Sequence, residues 1–368
     1  MHSVRAGSTD RVVDAHDGDM RWVCAVLLLV LVSGCTWGGP DRPPLFDLQA
    51  HRGGLGPVSE NTLAAFANAL ELGVTTLELD VQITRDDQAV VTHDRDPNPA
   101  ECRDTGPAFP GDPAFPYVPG ATVIRELTLA QVRTIDCGSQ RLAGFPGQRT
   151  APGSRMPLLS EVFDLLRDYG ADPVRLNIET KVEAAAPEQT APRDVFARIV
   201  VAEVERAGAS DRVTIQSFDW AALTAVRARA PELPISALTN GEQFLEEGQP
   251  GRSPWLGGLD IDDFPGSLPE RYVAAAAVLG ADIVSPVHGS PQDSVVGDPG
   301  YRPFTTTALV DAAHRRGMRV LPWTVDDPAT MNALLDLGVD GLITDRPDVL
   351  RTVLADRGYP LPPAFSRP

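Results

Sequence analysis

The sequence predicts an α/β protein, a (β/α)8 TIM barrel with an insertion after the second strand. Three observations lead there. From residue 45 onward eight short β-branched or apolar runs follow one another: LFDLQAH, TTLELDV, VRLNIET, RVTIQS, PISALT, ADIVSP, RVLPWT and DGLITD. Helical patterns alternate with them, and eight strand-helix pairs in series close most simply into a parallel barrel. One interval, residues 96–155, breaks the rhythm with Pro, Gly and Asp, and only VIRELTLAQVRTI within it has an ordered pattern.

The helices are legible one by one. In ENTLAAFANALELG, Leu63, Phe66, Ala67 and Leu70 fall on one face, Asn61 or Thr62 can cap the start, and Gly73 ends it. SEVFDLLRDYG, DVFARIVVAEVERAG, FDWAALTAVRARA, LPERYVAAAAVLG, TTALVDAAHRRG and DPATMNALLDLG repeat the theme. Long loops inside compact domains are usually functional. The insertion leaves after the second strand, hence at the C-terminal rim where such barrels keep their active sites. A shorter insertion, EEGQPGRSPWLGG, follows the fifth strand.

Bulk properties bound the partners. The 368 residues are 43% hydrophobic and 22% charged, a balance that supports a sizeable core. A net charge of −18 argues against a nucleic-acid partner, because binding a polyanion rests on neutralising phosphates. It leaves room for a small anionic substrate, since a few local cations dominate a pocket.

The N-terminus holds MRWVCAVLLLVLVSGC, whose apolar run is shorter than the ~20 residues a spanning helix needs. It reads as an export signal, and Val32-Ser33-Gly34-Cys35 resembles a lipobox, with Cys35 lipidated and tethering the chain to the outer face of the membrane. An uncleaved signal anchor is the alternative. The aspartates in residues 1–19 are unusual ahead of a signal and point to Met20 as a start. The expected organisation is residues 1–35 as signal, 36–44 as linker, 45–358 as barrel and 359–368 as tail. Cys102 and Cys137 remain, and in an exported protein two such cysteines most often pair. Closing that loop adds roughly 3–4 kcal/mol in the chain-entropy treatment. A metal site on the two thiolates lacks further ligands.

Reading off the C-terminal strand ends collects the chemistry. The first ends in His51-Arg52, the second carries Glu78 and Asp80, the third Glu179 and Lys181, the fourth Gln216-Ser217-Phe218, the seventh Trp323. Members of Glu78-x-Asp80 and of Glu179-x-Lys181 sit two apart, so each pair faces the barrel axis. Three carboxylates gathered there cannot all stay ionised without a cation. An all-oxygen set selects one hard divalent ion, Ca2+ or Mg2+. Arg52 and Lys181 add positive charge suited to a phosphate, one as a fork and one as a point charge. His93, after QAVVTHD, hairpins back toward His51, and the two imidazoles supply proton exchange near neutral pH.

These residues and their order resemble the glycerophosphodiester phosphodiesterase family. The motifs are HRG with ENT, GVTTLELDVQITRDDQAVVTHD, NIETK, QSF, PWTV and GVDGLITDRP, and they span the chain after residue 48. The resemblance implies a barrel, a divalent metal, and hydrolysis of water-soluble glycerophosphodiesters such as glycerophosphocholine to an alcohol and glycerol 3-phosphate. It further implies His51 and His93 as the acid/base pair and Glu78, Asp80 and Glu179 as metal ligands. Arg52 and Lys181 become the phosphate contacts, with Gln216 and Trp323 lining the pocket. Attack of the substrate's 2-hydroxyl on phosphorus, followed by opening of the cyclic phosphate by water, is the favoured course; direct attack by water stays open.

Two other functions compete. A phospholipase D-like enzyme acting on lysophospholipid or sphingomyelin shares the barrel and most motifs, but should carry an apolar interfacial loop where this insertion is dominated by Pro, Gly and charge. A surface lipoprotein that binds a phosphorylated ligand without turnover has no need of both histidines together with three acids. No protein partner is predicted. His288 reads as a satisfied loop histidine at the rim and His314 as an exposed helix residue. Trp255, Phe109, Phe115 and Tyr117 either wall the alcohol side of the pocket or fold the insertions on themselves.

Overall fold

The computed structural model describes residues 45–367. The proposed signal, Cys35 and the linker lie outside the described residues.

All eight predicted strands form, parallel and in chain order around a barrel: β1 Asp47–Ala50, β2 Thr76–Ile83, β3 Arg175–Thr180, β4 Val213–Ser217, β5 Ile235–Thr239, β6 Ile283–Pro286, β7 Arg319–Val320 and β8 Gly341–Thr344. β1 pairs with both β2 and β8, so the first and last strands are neighbours. The seam between β7 and β8 has no regular ladder. Pro322 has no N–H to give, and the two segments meet instead through Asp340 N–H to Val320 O and Ile343 N–H to Pro322 O, both 3.0 Å, which nearly closes the ring.

Helices pack outside: α1 Leu63–Leu72, α2 Leu159–Asp168, α3 Arg193–Ala207, α4 Trp220–Arg229, α5 Leu268–Leu279, α6 Thr307–His314, α7 Pro328–Asp336 and α8 Pro347–Asp356. Their starts follow the expected chemistry. Thr62 caps α1 by accepting from Ala65 N–H, and Asp219, Thr306 and Asp327 cap α4, α6 and α7 in the same way, each worth about 1 kcal/mol. Asn61 is not the cap; its side chain is used elsewhere. In α1 the buried face is Ala65, Phe66, Ala69 and Leu70, whereas Leu63, at the very start, stays exposed. Between strands and helices lies one apolar layer with Trp220, Tyr272, Phe66, Phe163 and Phe196 fully buried. No helix among the described residues is long and apolar enough to cross a membrane.

The hairpin read from QAVVTHD is present. Residues Ala89–Val91 run back antiparallel along β2, Val81 opposite Val91 and Ile83 opposite Ala89, through a turn with Asp87 at φ 59°. It returns the chain to the rim at His93. Beyond it the insertion has a small core of its own, from Val90, Ile124, Leu127, Val132, Ile135 and Met156. A two-stranded ribbon, Arg103–Asp104 against Ile135–Asp136, brings Cys102 and Cys137 together as a disulfide. Buried Asp112 ties the Pro-rich turn of residues 108–114 to Gln131. The tail is docked: Tyr359 meets Phe46 edge-on, and Phe365 N–H reaches Leu70 O.

Candidate active site

Strand register assembles the acids. β2 and β3 pair with Glu78 opposite Asn177 and Asp80 opposite Glu179, and β3 and β4 pair with Glu179 opposite Gln216. Side chains two apart on one strand share a face, so all of these converge inside the mouth. Glu78, Asp80 and Glu179 each offer a carboxylate oxygen within 4.8 Å of the others, and all three are buried.

The turn after β1 delivers the next two groups. His51–Gly53 forms one 3-10 turn in which Arg52 takes φ 53°, a left-handed conformation costly for a residue with a side chain. Gly53 follows at φ 83°, where an added Cβ would lie 2.9 Å from the Phe66 ring, so glycine is required. The contacts that hold this strained turn are polar. Arg52 N–H donates to Glu78 Oε2 at 2.8 Å, and its guanidinium reaches Glu60 at 2.9 and 3.1 Å and Asp80 at 3.4 Å. Asn61, also left-handed at φ 50°, accepts no cap; its Nδ2 donates to Asp80 Oδ2 at 3.0 Å.

Each histidine has its own carboxylate. His51 Nδ1 lies 2.6 Å from Asp345 at the end of β8, and His93 Nδ1 lies 2.6 Å from Asp94. Nδ1–H on a carboxylate leaves Nε2 as the working nitrogen. Their environments push them apart. Burial would lower His51, but the charges of Asp345 and Glu78 outweigh both burial and Arg52 and hold it at about 9. Burial, then Lys181 and Arg52, push His93 down to about 4 against Asp80 and Asp94. At neutral pH one is an imidazolium and the other a free base.

The acids are short of positive charge. Burial and then the Asp80 carboxylate push Glu78 up to about 8, and burial raises Glu179. Asp80 is held low despite burial by His93, Arg52 and Lys181. Lys181 Nζ lies 2.8 Å from Glu179 and 3.8 Å from Asp80, and Arg52 is shared with Glu60. Two permanent cations therefore face four carboxylates. Asp80 Oδ1 is buried without a hydrogen-bond partner. A hard divalent ion fits this set on charge, donor type and the unpartnered oxygen.

His51, Arg52, Glu78, His93, Glu179, Lys181, Gln216 and Trp323 all line one cavity of about 1390 Å³, with Asp80 directly behind. The main insertion contributes Asp96, Gly144 and Phe145 to its wall. Along another side run four aromatic rings. Trp323 meets Phe218 at 5.3 Å, Phe218 meets Phe244 at 5.1 Å, and Phe244 stacks on Trp255 at 4.2 Å. Trp255 thus belongs to the pocket wall, while Phe109 and Phe115 are exposed away from it. His288 has both nitrogens engaged, by Tyr301 and the Gln292 carbonyl, and His314 faces Asp340 on the surface. Glu60, Asp94 and Asp345 had no role in the sequence reading, and Asn61 had one only as a cap candidate. ENT, the residue after His93, and a lone acid closing the eighth strand were the available signals.

Comparison with known proteins agrees with this geometry. The model of the glycerophosphoryl diester phosphodiesterase family matches residues 51–349. A glycerophosphodiester phosphodiesterase of Caldanaerobacter subterraneus subsp. tengcongensis is 28% identical over 309 residues, 84% of this chain and 98% of the relative. A crystal structure from Silicibacter pomeroyi carrying the same family name is 33% identical with a TM-score of 0.69, over 86% of this chain and 96% of that one. A phosphodiesterase of Oleispira antarctica, solved with its product sn-glycerol-3-phosphate, shares the fold at 20% identity and a TM-score of 0.59, over 84% and 97%. The chain belongs to the glycerophosphoryl diester phosphodiesterase family and is a phosphoric diester hydrolase.

Proposed function

We propose that the chain hydrolyses water-soluble glycerophosphodiesters to an alcohol and glycerol 3-phosphate, with His93 and His51 as base and acid and one divalent cation on Glu78, Asp80 and Glu179. The observation that carries the reading is the single cavity lined by both histidines, Glu78 and Glu179, with a carboxylate oxygen of Asp80 within 4.8 Å of those two acids. The cation, Ca2+ or Mg2+, would supply positive charge for the phosphoryl oxygens and orient the attacking hydroxyl. Arg52 and Lys181 add charge to the same side and bind the phosphate. Neutral His93 takes the proton of the substrate's 2-hydroxyl as its oxygen bonds to phosphorus. The bond from phosphorus to the alcohol oxygen breaks, and imidazolium His51 gives that oxygen its proton. Water then opens the cyclic phosphate with the roles exchanged: His51 takes the proton of water and His93 returns its own to the 2-oxygen. Asp345 and Asp94 fix the tautomers. Trp323 and Phe218 wall the cavity where the diester enters, and Gln216 lies beneath Glu78.

Export and lipid attachment at Cys35 complete the proposal, supported by the VSGC sequence and by a disulfide, which suits an oxidising compartment. The domain limits, residues 45–358 with a processed N-terminus and a short tail, go with it.

Three outcomes are expected. Release of glycerol 3-phosphate from glycerophosphocholine stops with a chelator, falls by about 10²–10⁴-fold in His51→Ala and in His93→Ala, and is absent for an analogue lacking the 2-hydroxyl; rates untouched by chelator and both substitutions sink the reading. Because His51 acts protonated and Asp345 holds its pKa up, Asp345→Asn moves the alkaline limb of the kcat/KM profile to lower pH; an unmoved limb contradicts the assignment. Labelled fatty acid enters the full chain and not Cys35→Ser; equal labelling of both overturns the lipid site.

A further inference from the structure

Glu78 is gripped at both oxygens from within the fold. Oε2 accepts from the Arg52 backbone N–H, and Oε1 accepts from Gln216 Nε2 at 2.8 Å. Behind Gln216 the hydrogen bonds continue down the barrel interior. Asn177 Nδ2 donates to Gln216 Oε1 at 2.8 Å and to Gln49 Oε1 at 2.9 Å, and Gln49 Nε2 donates to Asp47 Oδ2 at 3.1 Å. Asp47, at the start of β1, is itself held by Arg175, Arg319 and the hydroxyls of Thr75 and Thr76. None of the five linked side chains is more than 2% exposed.

The chain has a carboxylate at each end; Asp47 is paired with two arginines, Glu78 is ionised when it holds a cation, and an ionised carboxylate only accepts. Amides passed in one direction, N–H to C=O, present a donor at one end and an acceptor at the other. Such a run cannot satisfy both Asp47 and Glu78. Its direction must reverse once, and a primary amide nitrogen, with two N–H groups, is the group that donates both ways. Asn177 stands at that point. The reversal leaves Asn177 Oδ1 buried with no partner, a desolvation cost that an aliphatic residue in this layer would not carry.

We infer that Asn177 and Gln216 are positioning residues for the cation site: Asn177 sets the direction of the amide chain so that Gln216 turns N–H, not C=O, toward Glu78 and holds that carboxylate facing Asp80 and Glu179. Gln216 therefore acts through Glu78 and not as a substrate contact. The inference rests on the metal reading above and adds a layer to it.

The test is calorimetric titration of Mg2+ and of Ca2+ into the metal-free full chain, with thermal melting as a check on folding. Asn177→Asp keeps the side-chain shape but replaces the doubly donating nitrogen, so Gln216 turns its N–H toward residue 177 and its C=O toward Glu78. Gln216→Leu removes the donor outright. Gln49→Leu trims the same interior layer yet leaves the N–H on Glu78. The expected result is a loss of about 10–100-fold in cation affinity in Asn177→Asp and Gln216→Leu, with Gln49→Leu close to the parent. Parent affinity in either of the first two, or an equal loss in all three, overturns the inference. Should Asn177→Asp fail to fold, Gln216→Leu against Gln49→Leu decides it. A parent chain that binds neither cation overturns the metal reading and this inference with it; a binding parent with an unaffected Asn177→Asp overturns this inference alone.

Discussion

Three carboxylates forced into one small volume are the constraint on which the rest of the site depends. Parallel strand register puts Asp80 opposite Glu179 and Glu78 one step below, within 4.8 Å of one another and out of bulk water. Like charges that close in a low-dielectric mouth repel strongly, and a protein that keeps them must answer with positive charge, protons or a bound cation. Arg52 and Lys181 answer in part. Arg52 is also engaged by Glu60, and Lys181 leans on Glu179. The shortfall shows as Glu78 pushed up to about 8. The same shortfall is what suits the mouth to the hard cation proposed above.

That imbalance also sets the two histidines apart. Both rings are half-buried against a carboxylate through Nδ1, so local pairing alone would make them alike. Their wider surroundings differ. His51 sits beside Glu78 on the acid side, whereas His93 faces Lys181 and Arg52. Environments that split two chemically identical groups across neutral pH are what the proposed acid and base roles require, with no difference in side-chain type. The positive φ at Arg52 and Asn61 belongs to this arrangement. Each residue spends conformational strain to place a polar group against the acids, and the hydrogen bonds to Glu78 and Asp80 offset it.

Much of the fold was readable because its signals are local. Every barrel strand lies in a β-branched or apolar run of the sequence, and the four side-chain caps on the barrel helices are Thr or Asp accepting an N–H three residues on. The acid trio was readable too, because period-two spacing on a strand fixes which side chains share a face. What was not readable depends on meetings between distant parts of the chain. Asp345 reaches His51 across 294 residues, a pairing that only barrel closure creates. Asn61 read as a cap candidate, but Thr62 took that place and freed Asn61 for Asp80. Gln216 lines the pocket as read, but the engagement of its amide on both sides inside the barrel, by Glu78 and Asn177, was not legible. The thin seventh strand follows from Pro322, visible in the sequence, though the way β8 still closes on it is not.

The central claim is that one hard cation is what reconciles Glu78, Asp80 and Glu179. Anomalous diffraction from a crystal of the chain soaked in Mn2+ tests it most directly. A single strong peak with one oxygen of each of the three carboxylates at about 2.0–2.5 Å is the predicted result. Full occupancy elsewhere with no density among the three acids would contradict it.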